Sequence, residues 1–153
     1  MSRADAAGPL RQAQAVVRAR TSGPGFYDVT RKVQQHLATM GAGSGVLTLF
    51  IRHTSASLVV QENADPTVQA DLVDALDGLA PANRRWRHAD EGPDDMPAHV
   101  KSMLTQTSLA IPVFTGHLQL GTWQAIYVAE HRSAPHEREV ALAWIGTIID
   151  NSG

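Results

Sequence analysis

Cysteine is absent from the chain. That excludes a disulfide framework, thiolate chemistry and cysteine-ligated zinc, so any metal must be held by imidazole and oxygen ligands. Basic residues are in no excess: 13 Lys and Arg stand against 15 Asp and Glu, a formal net charge of −2. A nucleic acid or an anionic membrane surface would favour a clustered excess of Lys and Arg, so neither is expected as a partner. No run approaches the roughly twenty apolar residues of a membrane span, and MSRADAAGPLRQAQ lacks the continuous apolar core of a signal peptide. The expectation is a cytoplasmic protein. Internal repeats, low-complexity tracts and an HExxH pattern are also missing.

What is present suits one domain. A chain of 153 residues, 43% hydrophobic, can bury about two-thirds of its unfolded surface, so neither metal nor disulfide is needed to hold the fold. Residues 1–12 read as a disordered tail and 13–153 as the domain. Ala13, Ala15, Val17 and Ala19 alternate with polar or longer side chains, predicting a strand that ends at SGPG. Asp28 is placed to cap a helix carrying Val29, Val33, Leu37 and Met40, which GAGSG then stops. VLTLFIRHTSASLVV predicts two strands joined by a bend, with His53 at the end of the first. Asp65 and Pro66 form a helix start, and Val68, Leu72, Leu76 and Leu79 its buried face.

Residues 80–95 read as a long polar loop, and Pro97 as the first residue of a short helix turning Val100, Met103 and Leu104 inward. LAIPVF, HLQL, WQAIYVAEHR and REVALAWIGTIID predict four further strands. The sum is an α+β domain, a mostly antiparallel or mixed sheet with a few helices packed on it.

Seven histidines are the unusual feature. HADEGPDDMPAH, residues 88–99, sets His88 and His99 among four acids with no Lys or Arg. Those donors suit Zn²⁺, Mn²⁺ or Mg²⁺, yet they equally fit an acidic surface loop, with Asp95 and His99 a helix pair four residues apart. HTSAS offers hydroxyls and an imidazole at a strand end for phosphate or water, or is a bend of small residues. Glu130 and Arg132 share a strand face, as a cleft lining or an ion pair at the sheet margin. RRWR, residues 84–87, is a basic group able to attract phosphate, or a solvated segment. His36, His117 and His136 are given no role.

FIRHTSASLVVQENADPTVQADL, HADEGPDDMPAH and LAIPVFTGHLQLGTWQAIYVAEHR, in that order, resemble the successive signatures of the YjbQ family, also called secondary thiamine-phosphate synthase. The resemblance runs from about Ala13 to Ile149. His53, Glu62, Asn63 and Asp65 match the first signature. His88, Glu91, Asp94, Asp95 and His99 match the second, and Gly116, Leu118, Gly121, Trp123, Gln124 and Glu130 the third. It implies a YjbQ-like α+β domain that forms a homotrimer, a pocket near subunit contacts, and a divalent metal, Zn or Mg, with His53, His88 and His99 as first ligand candidates.

It further implies joining hydroxymethylpyrimidine diphosphate to thiazole phosphate with loss of diphosphate. Such chemistry needs a cation and donors on the phosphates and a polar face for a cation-like carbon. The expected catalytic set is His53, Glu62, Glu91, Asp95 and His99, with Glu62 or Glu91 facing the carbon and His99 as acid or base. Thr54, Ser55, Ser57, Asn63, Asp94, Ser108, Gln124 and Glu130 are the expected binding set. Within these, Asp94 and Asp95 would hold Mg²⁺, and the four hydroxyl residues would meet phosphate oxygens. The alternatives are a metal-dependent hydrolase of a small phosphorylated or acyl substrate, and a trimeric small-ligand-binding protein.

Overall fold

Alternation along the strands divides them between two antiparallel sheets. The computed structural model describes residues 8–149. In chain order it holds β1 (Arg11–Thr21), β2 (Gly25–Asp28), α1 (Thr30–Thr39), β3 (Ala42–Ile51), β4 (Ala56–Glu62), α2 (Pro66–Leu79), α3 (Asp95–Leu104), β5 (Ser108–Phe114), β6 (His117–Leu118), β7 (Gln124–Glu130) and β8 (His136–Ile148). One sheet runs β1-β8-β3-β5-β6 and the other β2-β7-β4. This is the expected α+β fold.

Period-two spacing sends Val17 and Ala19 of β1, Leu47, Leu49 and Ile51 of β3, and Val140, Leu142 and Trp144 of β8 into one core. Ala56 and Leu58 of β4, Ile126 and Val128 of β7, and Val33 and Leu37 of α1 meet them there. Helices α2 and α3 cover the other face of the small sheet, which is why β7 is buried on both faces from Ala125 to Glu130. The α2 cap forms as expected, Asp65 Oδ1 accepting the Thr67 amide at 2.9 Å, whereas the N-cap of α1 is Val29 without a side-chain cap, and Asp28, one residue earlier, accepts the Thr30 amide at 2.9 Å.

Several local expectations change. β1 begins at Arg11, so Arg11 and Gln12 belong to the sheet, while residues 1–7 of the expected tail lie outside the described residues. β2 was too short for its alternation to show. The segment GAGSG ends α1 but also opens β3 from Ala42, since a Cβ on Gly45 would meet the Ile145 carbonyl, Gly146 and the Trp144 ring. The expected inner face of α2 is only half-buried, and Leu79 is exposed. In α3 the inner face is Asp95, Pro97, Ala98 and Lys101, while Met103 and Leu104 point outward. The helix starts two residues before Pro97, which rotates the face, and it buries charged groups where apolar ones were expected. Between β5 and β6 the turn Thr115–Gly116 has φ of 46° and 81°, the left-handed pair a two-residue hairpin favours.

Candidate metal centre

α3 fixes the centre. Asp95 lies in its first turn and His99 one turn later, so both project from the same side. The long loop returns His88 to them: His88 Nε2 is 2.7 Å and His99 Nε2 3.3 Å from the same oxygen, Asp95 Oδ2. One donor atom from each of the three lies within 4.8 Å of the others, the one such group of His, Asp and Glu among the described residues.

The tautomers follow from the partners. His99 Nδ1 is 3.0 Å from the carbonyl oxygen of Thr54, which can only accept, so Nδ1 carries the proton. A neutral His99 therefore turns the lone pair of Nε2 toward a carboxylate oxygen. Two lone pairs at that range call for a positive centre between them, a proton or a metal ion. His88 and His99 keep 45% and 34% of their side chains exposed while Asp95 keeps 3%, so the centre is anchored inside and open outside.

Arg132, just past β7, supplies the charge that the loop lacks. Its Nη1 donates to Asp95 Oδ1, its Nε to Asp94 Oδ2 at 3.0 Å, and its Nη2 to the Glu91 carbonyl at 3.0 Å. Burial alone would raise the pKa of Asp95. The His88 hydrogen bond and the Arg132 charge outweigh it, and the carboxyl sits below its ordinary value. Asp94 is lowered in the same way: against burial, the Ser133 amide and Arg132 hold it ionised.

The other expected residues divide. His53 is not part of the group: its Nε2 accepts the Glu139 amide at 2.8 Å, and burial and then the Arg138 charge lower its pKa. Thr54 and Ser55 lie on the bend that receives His99. Ser57 is fully buried, hydrogen-bonded to His131 Nε2 at 2.8 Å and to Thr105 Oγ1 at 2.5 Å, and faces no open site.

Glu130 is also buried. Its partners are Arg138, Thr21 and the amides of His131 and Arg132, so the expected side-chain pair with Arg132 does not form. Asp94 turns its Oδ2 to Arg132 and the Ser133 amide, away from the imidazoles that face Asp95. Glu62 accepts the Asp65 amide, Asn63 donates to the carbonyls of Thr122 and Gln124, and Gln124 accepts the Gly121 amide, all where β4 ends beside the start of β7 and outside the metal group. Ser108 is exposed at the start of β5 opposite Phe50. Glu91 is exposed in the loop. An open cleft of about 660 Å³ between α1 and the β6–β7 segment reaches Gln124 and no other expected residue.

Arg132, Arg138, His131 and Lys101 were not singled out by the sequence as a supporting set. The only signal was Arg132 sharing a strand face with Glu130.

Residues 15–147 match the family described as UPF0047 protein YjbQ-like. The chain belongs to that family. It is 46% identical over 143 residues to a UPF0047 protein of Synechocystis, covering 93% of this chain and 97% of the relative. UPF0047 protein YjbQ of Escherichia coli is 46% identical over 109 residues, 71% of this chain and 79% of that one. Among solved structures, a conserved hypothetical protein of Thermus thermophilus superposes with a TM-score of 0.75 at 38% identity, over 88% of this chain and 99% of its own. A YbjQ-like protein of unknown function from Sulfolobus solfataricus gives 0.83 over 90% and 99%, and at 22% identity it speaks for the fold alone. No helix among the described residues is long and apolar enough to cross a membrane.

Proposed function

We propose that this chain is a metal-dependent enzyme acting on a small phosphorylated substrate, with one divalent ion held by His88, Asp95 and His99. The observation that carries this is His99 Nε2 facing Asp95 Oδ2 at 3.3 Å beside His88, with His99 Nδ1 held by the Thr54 carbonyl. Two imidazole nitrogens and one carboxylate oxygen suit Zn²⁺ better than Mg²⁺, which prefers oxygen alone. When bound, the ion would polarise a phosphoryl oxygen and offset the charge of a departing group. Thr54 orients His99, Arg132 holds Asp95 ionised, and the exposed faces of the two imidazoles leave room for substrate.

The reaction we assign first is the one the family resemblance implies, union of hydroxymethylpyrimidine diphosphate with thiazole phosphate. Glu91 is the carboxylate with freedom to face a cation-like carbon, because Glu62 is engaged with the Asp65 amide. Incubating the two halves with the zinc- or magnesium-loaded protein and resolving thiamine phosphate by chromatography tests it. Product above background that is lost in Asp95→Ala supports the reading, and none in the wild type ends it.

Hydrolysis is the second reading, and one observation favours it: Asp94 Oδ2 is tied to Arg132 and Ser133, so of the two aspartates only Asp95 offers an oxygen to the two imidazoles, as a single-zinc centre requires. Phosphate release from small esters that Asp95→Ala abolishes would establish it. Binding without turnover of either kind would leave the ligand-binding protein.

We also propose the homotrimer. The outer face of the five-stranded sheet is uncovered, with Val16, Val46, Phe50 and Ile145 all exposed, and the registers set Val16 and Phe50 on either side of Ala141. An apolar sheet face of this kind suits a second copy. The number three comes from the resemblance. Absence of cysteine remains in keeping with a cytoplasmic location.

A further inference from the structure

Outside the metal centre, two buried polar side chains share one cavity, one of them a cation with donors to spare. Lys101 is 7% exposed and His131 5% exposed. Both line a cavity of about 490 Å³, together with Asp77, Asn83, Asp94 and Ser133. None of His88, Asp95 and His99 lines it. It lies on the side of α3 that carries Pro97 and Lys101, under the loop at Pro81–Asn83. A volume of this size is in the range of small-molecule pockets.

The donors can be counted. The Lys101 ammonium has three N–H groups, and among the described residues Asp77 Oδ1 takes one. A buried ammonium with one partner carries a cost that further acceptors would relieve. At His131, Nε2 lies 2.8 Å from Ser57 Oγ, and the other partner of that hydroxyl is Thr105 Oγ1, which also donates to the Lys101 carbonyl at 2.9 Å. Burial, then the charge of Lys101, lowers the pKa of His131 to about 4, so the ring is neutral at physiological pH.

The acceptors in the wall are largely committed. Asp94 Oδ2 receives Arg132 Nε and the Ser133 amide, and Asp77 is 59% exposed beside Lys101. Their charge sets an upper limit on the ligand, because a polyphosphate would be repelled by both carboxylates, while a single oxyanionic group is balanced by Lys101.

We propose that this cavity is a second ligand site, taking a small molecule through one carboxylate or phosphate group that accepts from Lys101 Nζ beside the neutral His131 ring. The site stands independently of the metal reading, since it shares none of the three metal-site side chains.

Inorganic phosphate and, separately, acetate are titrated into the full chain at fixed ionic strength and pH 7, followed by nitrogen–proton spectra of the histidine rings. The expected result is a saturable shift of the His131 ring by at least one of the two anions, with His88 and His99 unmoved. Which anion saturates separates the phosphate from the carboxylate source. In Lys101→Met the affinity falls about tenfold or more, as for loss of a charge-assisted hydrogen bond. Should that variant fail to fold, Asp77→Asn, at an exposed position, removes the competing carboxylate and tightens binding by about three- to tenfold. No saturation with either anion, a shift centred on His88 or His99, or unchanged affinity in the variant that folds overturns the proposal.

Discussion

Arg132 reaches from the end of β7 to Asp95 and takes its Oδ1, leaving only Oδ2 to face His88 and His99. The carboxylate is thus oriented from one side by a cation and offered on the other to two imidazoles. The acidic segment of residues 88–99, which has no Lys or Arg of its own, is held by this guanidinium also at Asp94 and the Glu91 carbonyl.

Replacing Arg132 should therefore loosen the centre without touching a ligand. Arg132→Ala is expected to weaken zinc affinity by about 10- to 100-fold, the usual effect of losing an outer hydrogen-bond partner. Stability should fall by about 3 kcal/mol, because two largely buried carboxylates lose their counter-charge. Competition with a chromophoric chelator reads the first and urea unfolding the second. Arg132→Lys should restore part of the stability but not the forked contact.

The pH dependence of stability is set in part by His131. Its folded pKa, about 4, lies below the ordinary 6.5. Between those values the unfolded chain binds a proton that the folded chain does not, so stability falls as pH drops through that window and levels off below it. The loss is on the order of 3 kcal/mol. His53, also lowered, adds in the same direction. The lowered carboxyls of Asp94, Asp95 and Glu130 lose their contribution only at more acid pH. Urea unfolding at pH 7 and pH 5 should show a clearly smaller difference for His131→Gln than for the wild type. Equal differences would remove His131 from the account.

Gly146 sits where a side chain has no space. A Cβ there would meet the Trp144 ring, fixed in the core, and the Ser44 carbonyl on the neighbouring strand. Gly146→Ala should cost about 1–3 kcal/mol by overpacking, seen as a lower urea midpoint with the slope unchanged.

The uncovered sheet face gives a test of assembly. Phe50 is 48% exposed beside Ala141 and opposite Ser108. Phe50→Glu should convert a wild type of three times 16.5 kDa to the single-chain mass by light scattering. A wild type already at the single-chain mass would end the trimer.

Much of this was legible in the residues because it depends on local chemistry. Alternation located β1, runs of β-branched and apolar residues located β3, β4, β5, β7 and β8, and Asp65 with Pro66 placed the start of α2 at the right residue. His88, Asp95 and His99 stood out by donor type and spacing. What did not show was burial of charge. The inward face of α3 was assigned to Val100, Met103 and Leu104, since apolar groups ordinarily point inward, whereas Asp95 and Lys101 are the buried ones. Their partners, Arg132 and Asp77, are distant in sequence, and no local pattern announces them. Glu130 and Ser57 were read as site residues for the converse reason: polar type was visible, and the long-range partners that occupy them, Arg138 and His131, were not.

The central claim is that a metal ion, and not merely a proton, answers the paired lone pairs at Asp95 Oδ2 and His99 Nε2. Crystals grown with zinc and measured on either side of the zinc absorption edge test it most directly. The account expects an anomalous peak within bonding distance of His88 Nε2, Asp95 Oδ2 and His99 Nε2, lost in His99→Ala. No peak there at saturating zinc, or a peak at His53 instead, would contradict it.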